Sequence, residues 1–183
     1  MQNIEYEKAK RLNDISNGNK AWFALYTKSR SEFKAAEQIH SAGVEYYLPV
    51  ITKIRQWSDR KKKISEPLIR GYIFIFANEK ERLLSLEQYS VVRCVTERGK
   101  AARIPEWQID NLKKMLNTQS DVLVKEGLVP GVKIRIKEGP FEGVIGTLQE
   151  IDNQKTLAVS IDLLNRSVIT YLSKESIIEI IKD

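Results

Sequence analysis

The most strongly basic segment of the chain runs from Lys53 to Lys63 and has the composition of a phosphate-binding surface. Its sequence, KIRQWSDRKKK, holds one acid and one aromatic residue. Lysine and arginine bind phosphates without sequence preference, and an aromatic ring can stack on an unpaired base. A solvated edge hairpin whose lysines only prevent strand aggregation is the alternative, and both interpretations remain open. The candidate nucleic-acid contacts in this segment are Arg55, Trp57, Arg60, Lys61, Lys62 and Lys63.

Residue types that support catalysis or metal binding are scarce in this sequence. Cys94 is the single cysteine and His40 the single histidine, so neither a disulfide nor a Cys/His zinc site can be assembled within the chain. Neither residue has the partners of a nucleophile or a general base, and the carboxylates form no recognisable acid–base motif. We therefore expect no catalytic residue, no metal site, no cofactor and no enzymatic activity.

Three glycines, Gly139, Gly143 and Gly146, could suggest a loop that holds phosphate. No Gly-Lys-Ser/Thr sequence follows them, and they lie among short strands. We expect instead that all three permit a positive φ in tight turns.

The net charge of +6 is distributed unevenly over the 183 residues. It is +1 for residues 1–20, +7 for residues 21–118 and −2 for residues 119–183. This division predicts two functional units, of which the first faces a polyanion. The sequence has no secretory leader and no run of 18 apolar residues, so we expect a cytoplasmic protein with no membrane contact.

The apolar periodicity of the first unit predicts the order β-α-β-β-α-β followed by a third helix. A strand over Ala21–Thr27 leads into a helix that Ser29 and Glu32 would start as a capping box, and Asn78 and Glu81 have the same spacing before a second helix. Pro105 suits the first position of the third helix. The remaining strands are expected over 44–48, 50–56, 62–66, 71–77 and 91–96. This order indicates an α+β fold, an antiparallel sheet flanked by helices of the ferredoxin or RRM kind.

The second unit has a different pattern of short alternating strands. They are expected over 132–136, 143–148, 157–161, 168–172 and 177–181, and they predict a small SH3-like β-barrel. The expected organisation is therefore a flexible N-terminal extension (1–20), a first domain (21–118), a linker (119–125) and a barrel domain (126–183).

Two groups of residues resemble motifs of a known family. The segment from Pro130 to Gly146 resembles a KOW motif, with Arg135, Gly139, Pro140, Phe141, Gly143 and Gly146 at its characteristic positions. The segments Trp22–Lys28, Leu48-Pro49 and Glu66–Phe74 resemble the NGN domain of the NusG family. The resemblance extends from Lys20 to the C-terminus, and an NGN domain followed by a KOW domain is far more specific than a KOW motif alone.

This resemblance implies a transcription elongation factor that binds RNA polymerase and suppresses pausing or termination. In the family, an apolar patch of the NGN sheet contacts the clamp helices of the largest polymerase subunit. In the specialised branch, the surface near the first helix touches the non-template DNA strand. By carry-over, the clamp-facing patch would be Trp22, Phe23, Leu68, Ile69 and Tyr72, and the DNA contacts would be Lys28, Arg30, Lys34, Gln88 and Tyr89. From the residues alone, the patch has a core interpretation as its alternative, because alternate positions of a strand in a helix-backed sheet are buried.

The family also implies a partner for the KOW domain, which is Rho or a small-subunit ribosomal protein. The basic hairpin and the polar N-terminal extension are most similar to the UpxY and RfaH type of specialised paralogue, which implies antitermination of capsular polysaccharide operons. Three alternatives remain open. They are the general NusG factor, a ribosome-associated KOW protein that binds RNA, and an RRM-like protein whose sheet aromatics stack on bases.

Overall fold

The computed structural model describes residues 20–56, 60–118, 121–151 and 153–181. The chain separates into two compact units between Arg103 and Ile104. The extension expected before residue 20 and the hairpin residue Trp57 lie outside the described residues. The third helix falls within the second unit, whereas the sequence pattern places it in the first domain; the domain boundaries stay predictions.

The first unit contains an antiparallel sheet, and its α+β character is as predicted. Strands β1 and β5 are central in the order β2–β5–β1–β6. This arrangement follows from the sequence, since Ala21–Thr27 and Tyr72–Ala77 are its most apolar strand segments. The elements are β1 (Ala21–Thr27), α1 (Glu32–Ser41), β2 (Glu45–Tyr47), β3 (Val50–Gln56), β4 (Lys61–Pro67), β5 (Tyr72–Ala77), α2 (Glu79–Leu86), β6 (Val91–Cys94), β7 (Thr96–Glu97), β8 (Lys100–Ala101) and β9 (Arg103–Ile104).

Alternate residues of the central strands form one core with helix α1. Phe23 and Leu25 of β1 and Ile73 and Ile75 of β5 belong to a buried cluster that also holds Ile39 of α1. Successive side chains of a strand point to opposite faces, so these odd-numbered positions share the face that α1 covers. The core therefore fixes which face of β1 carries Phe23.

The two predicted capping boxes have different outcomes. At α2 the prediction is confirmed: the Asn78 side chain accepts from the Glu81 N–H and the Glu81 carboxylate accepts from the Asn78 N–H, both at 2.9 Å. At α1 it is wrong, because the helix begins at Glu32 with Ser31 as its N-cap residue. The Glu32 carboxylate instead accepts a 2.7 Å hydrogen bond from the N–H of Gly71, 39 residues away.

The second unit combines a helix with a six-stranded antiparallel sheet, consistent with the predicted small barrel. The strand order is β10–β14–β13–β12–β11–β15. Strand β10 corrects the sequence interpretation, since residues 123–125 were expected in a linker but pair with β14. The elements are α3 (Glu106–Asn117), β10 (Leu123–Glu126), β11 (Val132–Glu138), β12 (Ile145–Ile151), β13 (Gln154–Ile161), a 3-10 turn (Asp162–Leu164), β14 (Arg166–Tyr171) and β15 (Ile177–Ile180).

Helix α3 is attached to the rest of this unit by two buried amides, one bound to the 3-10 turn and one to strand β12. The Gln108 side chain donates to the Asp162 carboxylate at 2.7 Å and accepts from the Asp162 N–H at 3.3 Å. The Asn111 carbonyl oxygen accepts from the N–H of Ile145 at 3.1 Å. Pro105 is the N-cap residue of α3, one position before the site expected from the sequence.

Candidate nucleic-acid interface

The basic hairpin, which consists of β3 and β4, forms a two-stranded sheet of its own. Its register places Lys61 opposite Gln56, Lys62 opposite Arg55 and Lys63 opposite Ile54. All three lysines are exposed, and Arg60 before them is exposed as well. The hairpin predicted from the sequence is thus present, and its strand β4 begins with three consecutive exposed lysines.

A second basic surface lies where β1 ends, and it unites two of the predicted contacts. The Lys28 ammonium group lies 3.3 Å from the centroid of the Tyr89 ring, and Tyr89 is 76% exposed. The main chain supports this pair, because the Lys28 N–H donates to the Ser90 carbonyl at 2.9 Å. A cation held over an exposed ring offers both a charge and a stacking face.

The other predicted contacts of this region lie around helices α1 and α2. Arg30 is exposed in the turn between β1 and α1 and has a φ of +54°. Lys34 is exposed on α1, and the Gln88 amide donates to the Leu84 carbonyl at 2.9 Å. One N–H of the Gln88 amide is therefore engaged by the main chain at the C-terminal end of helix α2.

The predicted clamp-facing patch is mostly buried. Trp22, Phe23, Leu68 and Ile69 are at most 6% exposed, and only Tyr72 is half-exposed. Trp22 and Phe23 also cannot share a face, because adjacent residues of a strand point in opposite directions. This placement corrects the expectation that Phe23 lies on the surface, since it belongs to the core beneath α1.

The sequence reasoning missed Tyr26, an exposed ring beside Tyr72. The two rings pack edge to face with centroids 5.3 Å apart. Gly71 makes room for this contact: it has a φ of +80°, and a Cβ there would lie 3.3 Å from the Tyr26 ring. The period-two alternation from Trp22 to Tyr26 was a signal that could have identified this residue.

The KOW-like turn has two kinds of glycine. Gly139 and Gly143 have φ values of +117° and +76°, as the sequence predicts. The same explanation is wrong for Gly146, which is not among the described residues with positive φ. A Cβ at Gly146 would lie 2.5 Å from the Ala158 carbonyl oxygen, so close strand packing requires glycine here. Phe141 is buried, Pro140 is exposed, and Arg135 lies 3.5 Å from the Glu179 carboxylate.

Cys94 behaves as a small buried residue. Burial raises the pKa of its thiol above the ordinary value, and the Sγ donates to the Val95 carbonyl at 3.4 Å. Among the described residues, no cluster of three or more His, Cys, Asp or Glu side chains could hold a metal ion. Within the same part of the chain, no helix is long and apolar enough to cross a membrane.

The fold and these surfaces define a two-unit α+β protein with exposed basic side chains, and comparisons with known proteins place it in a family. A family model described as "Transcription termination factor nusG" matches residues 20–113. The "Transcription termination/antitermination protein NusG" of Campylobacter jejuni is 26% identical over 174 residues, which are 86% of this chain and 97% of the relative. The protein of the same name from Rickettsia typhi is 23% identical over 164 residues, 82% of this chain and 85% of the relative.

One solved structure, described as "Domain interaction in Thermotoga maritima NusG", aligns with a TM-score of 0.48 at 22% identity. The alignment covers 89% of this chain and 98% of that one. Because the family model matches more than half of the residues of the present chain, this chain belongs to the NusG family.

Proposed function

We propose that this protein is a transcription elongation and antitermination factor that binds RNA polymerase through its first unit. The observation that carries this proposal is the family match over residues 20–113, which includes all of the described first unit and most of α3. The relatives from Campylobacter jejuni and Rickettsia typhi are named as transcription termination/antitermination proteins. Binding, rather than catalysis, is therefore the proposed activity.

We assign the polymerase contact to the part of the sheet surface that carries Tyr26 and Tyr72. Its proposed partner is the clamp helices of the largest polymerase subunit. Tyr72 and Tyr26 are the accessible rings of this surface, and their mutual edge-to-face contact holds both in place. Half-buried aromatic anchors dominate the binding energy of many helix-in-groove interfaces. Trp22, Leu68 and Ile69 would support this surface from below rather than touch the partner.

The non-template DNA strand is the proposed ligand of the two basic surfaces. The basic hairpin supplies Arg60 and Lys61–Lys63, and the end of β1 supplies Lys28 and Tyr89. Cations neutralise phosphates and an exposed ring stacks on any base, so such a surface follows an unpaired strand with little sequence preference.

The second unit is proposed to bind a protein, either Rho or a small-subunit ribosomal protein. Its sequence region carries a net charge of −2, which does not favour a polyanion. Its outer strands also expose apolar side chains, among them Leu123 on β10 and Ile180 on β15. Such residues at a sheet edge suit a protein contact.

Removing the Tyr72 ring is expected to weaken the capture of purified RNA polymerase by the full chain at least tenfold, because a central aromatic anchor is lost. The change is Tyr72→Ala, and the measurement is an equilibrium titration with immobilised full-length protein. Tyr171→Ala is the matched control, since it removes an exposed tyrosine from the second unit. In separate titrations, the immobilised protein is exposed to Rho and to ribosomal proteins in place of RNA polymerase.

Equal polymerase affinity for the wild type and Tyr72→Ala would remove the proposed anchor. Capture of ribosomal particles with no capture of polymerase would contradict the elongation-factor proposal itself.

A specialised role in polysaccharide operons is the finer part of the proposal. Its support is the resemblance of the basic hairpin to UpxY-type paralogues. We expect chromatin immunoprecipitation to find the protein at a few operons with readthrough of their terminators. Occupancy of most transcribed genes would assign it to the general factors instead.

A further inference from the structure

A pocket of about 400 Å³ lies at one end of the sheet in the second unit. It is formed by the turn from β12 to β13, the end of β14 and the connection from β14 to β15. The 3-10 turn that holds α3 joins β13 to β14 at the opposite end. Small-molecule sites occur in the mouths of β-barrels, and this volume is near the lower end of their range. The pocket is therefore of a size for one small molecule.

Main-chain and hydroxyl contacts fix the walls of this pocket. The N–H of Leu172 donates to the Lys155 carbonyl at 2.9 Å, so the end of β14 stays beside the start of β13. The N–H of Ser176 donates to the Ser173 carbonyl at 3.2 Å, and their hydroxyl oxygens lie 3.0 Å apart. Behind this turn, a Cβ at Gly139 would lie 3.1 Å from the Ser176 hydroxyl oxygen. The walls are therefore held together before any ligand arrives.

The pocket has a local positive charge. Lys155 and Lys174 belong to its lining, and no carboxylate is among its described lining residues. Both lysines are exposed, and neither is in an ion pair with another residue that the structure describes. Lys137 of the same unit, by contrast, lies 3.1 Å from the Glu179 carboxylate. Because lysine ammonium groups act as point charges toward phosphate, the two unpaired cations favour a phosphate group.

The charge of the surrounding unit limits the size of the anion that this pocket would attract. Residues 119–183 carry a net charge of −2, which opposes the approach of a polyanion. A small anion would meet the two lysines without extending over the acidic remainder of the unit. The charge distribution therefore favours a small phosphorylated molecule over a nucleic acid.

The remaining lining groups suit an organic molecule better than an inorganic ion. Tyr171 is 50% exposed at the end of β14, so its ring can stack on a flat partner. Ile178 is half-buried and lies opposite the buried Ile136 in the ladder, which gives the pocket an apolar wall. The hydroxyls of Ser173 and Ser176 use one proton in their mutual hydrogen bond, so the second proton remains for an oxygen of a ligand.

We propose that this pocket binds a free nucleoside monophosphate, with its phosphate at Lys155 and Lys174 and its base against Tyr171. A hydroxyl of Ser173 or Ser176 would donate to a phosphate or sugar oxygen. A nucleotide combines an anion, a polar sugar and a flat ring, and the pocket holds a counterpart to each. A sugar phosphate would leave the Tyr171 ring uncovered. The inference goes beyond the proposed polymerase contact, because it concerns the other unit and a different class of ligand.

The test titrates the ¹⁵N-labelled full chain with uridine 5′-monophosphate and, separately, adenosine 5′-monophosphate, in the absence of polymerase. We expect the amide resonances of Gln154, Tyr171 and Lys174 to shift and to reach saturation. Uridine should bind at least tenfold more weakly, because it lacks the group that meets the two lysines. Inorganic phosphate should also bind at least tenfold more weakly, because it has no ring to stack on Tyr171.

The cations are tested by Lys155→Gln and Lys174→Gln, each of which should weaken nucleotide binding severalfold because one of two charges is lost. Lys125→Gln is the matched control, since Lys125 is an exposed lysine of the same unit outside the pocket. We expect no change for the control. Equal weakening by all three substitutions would mean that the overall charge, and not the pocket, attracts the nucleotide, and it would overturn the inference.

The ring is tested by two substitutions at Tyr171. Tyr171→Ala should weaken nucleotide binding about tenfold, whereas Tyr171→Phe keeps the ring and should keep the affinity. Circular dichroism verifies that both variants fold. We also expect the reverse selectivity at Tyr72: Tyr72→Ala should weaken polymerase capture and leave nucleotide binding unchanged. The nucleotide pocket and the proposed function can thus fail independently of each other.

The absence of any shift of the three amides up to about 10 mM nucleotide would overturn the inference. Equal affinity for inorganic phosphate and the nucleotide would do the same, as would equal affinity of the wild type and Tyr171→Ala. A 5′-phosphorylated hexauridylate is titrated in parallel. If it bound more tightly than the mononucleotide, with shifts beyond the pocket, the surface would be assigned to RNA and the free nucleotide would be rejected.

Discussion

Replacing Lys61, Lys62 and Lys63 with glutamate is expected to reduce the affinity of the protein for a polymerase elongation complex by several hundredfold at 50 mM salt. The three side chains are consecutive and exposed on β4. Each phosphate contact on a single strand contributes about 0.7 to the logarithmic salt slope, so the loss of three contacts lowers the slope by about 2. The same substitutions should therefore cost only about fourfold at 0.5 M salt.

The measurement is a salt series of equilibrium titrations with a complex whose non-template strand is exposed. The control replaces Lys125, Lys155 and Lys174 of the second unit with glutamate, which changes the net charge of the chain equally. If both triple variants lost affinity to the same degree, general charge rather than the hairpin would be responsible. If neither did, the lysines would serve solubility alone.

The second large effect is expected on stability, from Gly146→Ala in strand β12. The new methyl group would lie 2.5 Å from the Ala158 carbonyl oxygen and 2.8 Å from Leu157 Cδ1. Residues Thr147 and Ala158 pair directly in this ladder, so neither strand can withdraw without loss of main-chain hydrogen bonds. We expect the free energy of unfolding to fall by about 3 kcal/mol, near the upper end for overpacking.

Urea titration of the full chain followed by circular dichroism measures this loss, and amide hydrogen exchange locates it on β12 and β13. Gly127→Ala is the control. Gly127 has a φ of +95° with no atom within 4 Å of a Cβ, so its substitution carries only the backbone cost of a left-handed residue, about 1–2 kcal/mol. Equal destabilisation by the two substitutions would mean that contact with Ala158 is not the cause.

Local sequence patterns were sufficient to predict most of the longer helices and strands. Strand β1 has the expected bounds, and β3 and β4 differ from the expected bounds by one residue at most. The capping box at Asn78 also forms as the spacing predicts, because both of its hydrogen bonds lie within four residues. Such short-range features depend on neighbouring residues alone, and tertiary packing leaves them unchanged.

The errors share a cause in long-range contacts. Glu32 does not complete a capping box because its carboxylate accepts from the N–H of Gly71, in the connection between β4 and β5. Residues 123–126 form a strand because they pair with β14. Four residues are too few to show the alternation of apolar and polar side chains that identifies a strand in a sequence. Gly146 needs no positive φ, since the approach of Ala158 alone excludes a side chain. No local spacing carries this information.

The candidate sites also differ in whether local sequence reveals them or contacts between distant residues form them. The cations of the basic hairpin could be found from composition, since six of them lie within 11 residues. The contact between the Lys28 ammonium group and the Tyr89 ring could not, because the two residues are far apart in the sequence. The inclusion of Phe23 in the clamp-facing patch rested on the family resemblance alone, although strand alternation puts Trp22 and Phe23 on opposite faces.

The separate sheet formed by β3 and β4 bears on how this protein can evolve. Its ladder bonds run between its own two strands, from Val50 opposite Pro67 to Gln56 opposite Lys61. Residues can therefore be added or removed in pairs at its tip without breaking a hydrogen bond of the sheet that contains β1 and β5. Insertions would lengthen the reach of the cations along the proposed DNA strand, so we expect hairpin length to alter target range at little cost in stability.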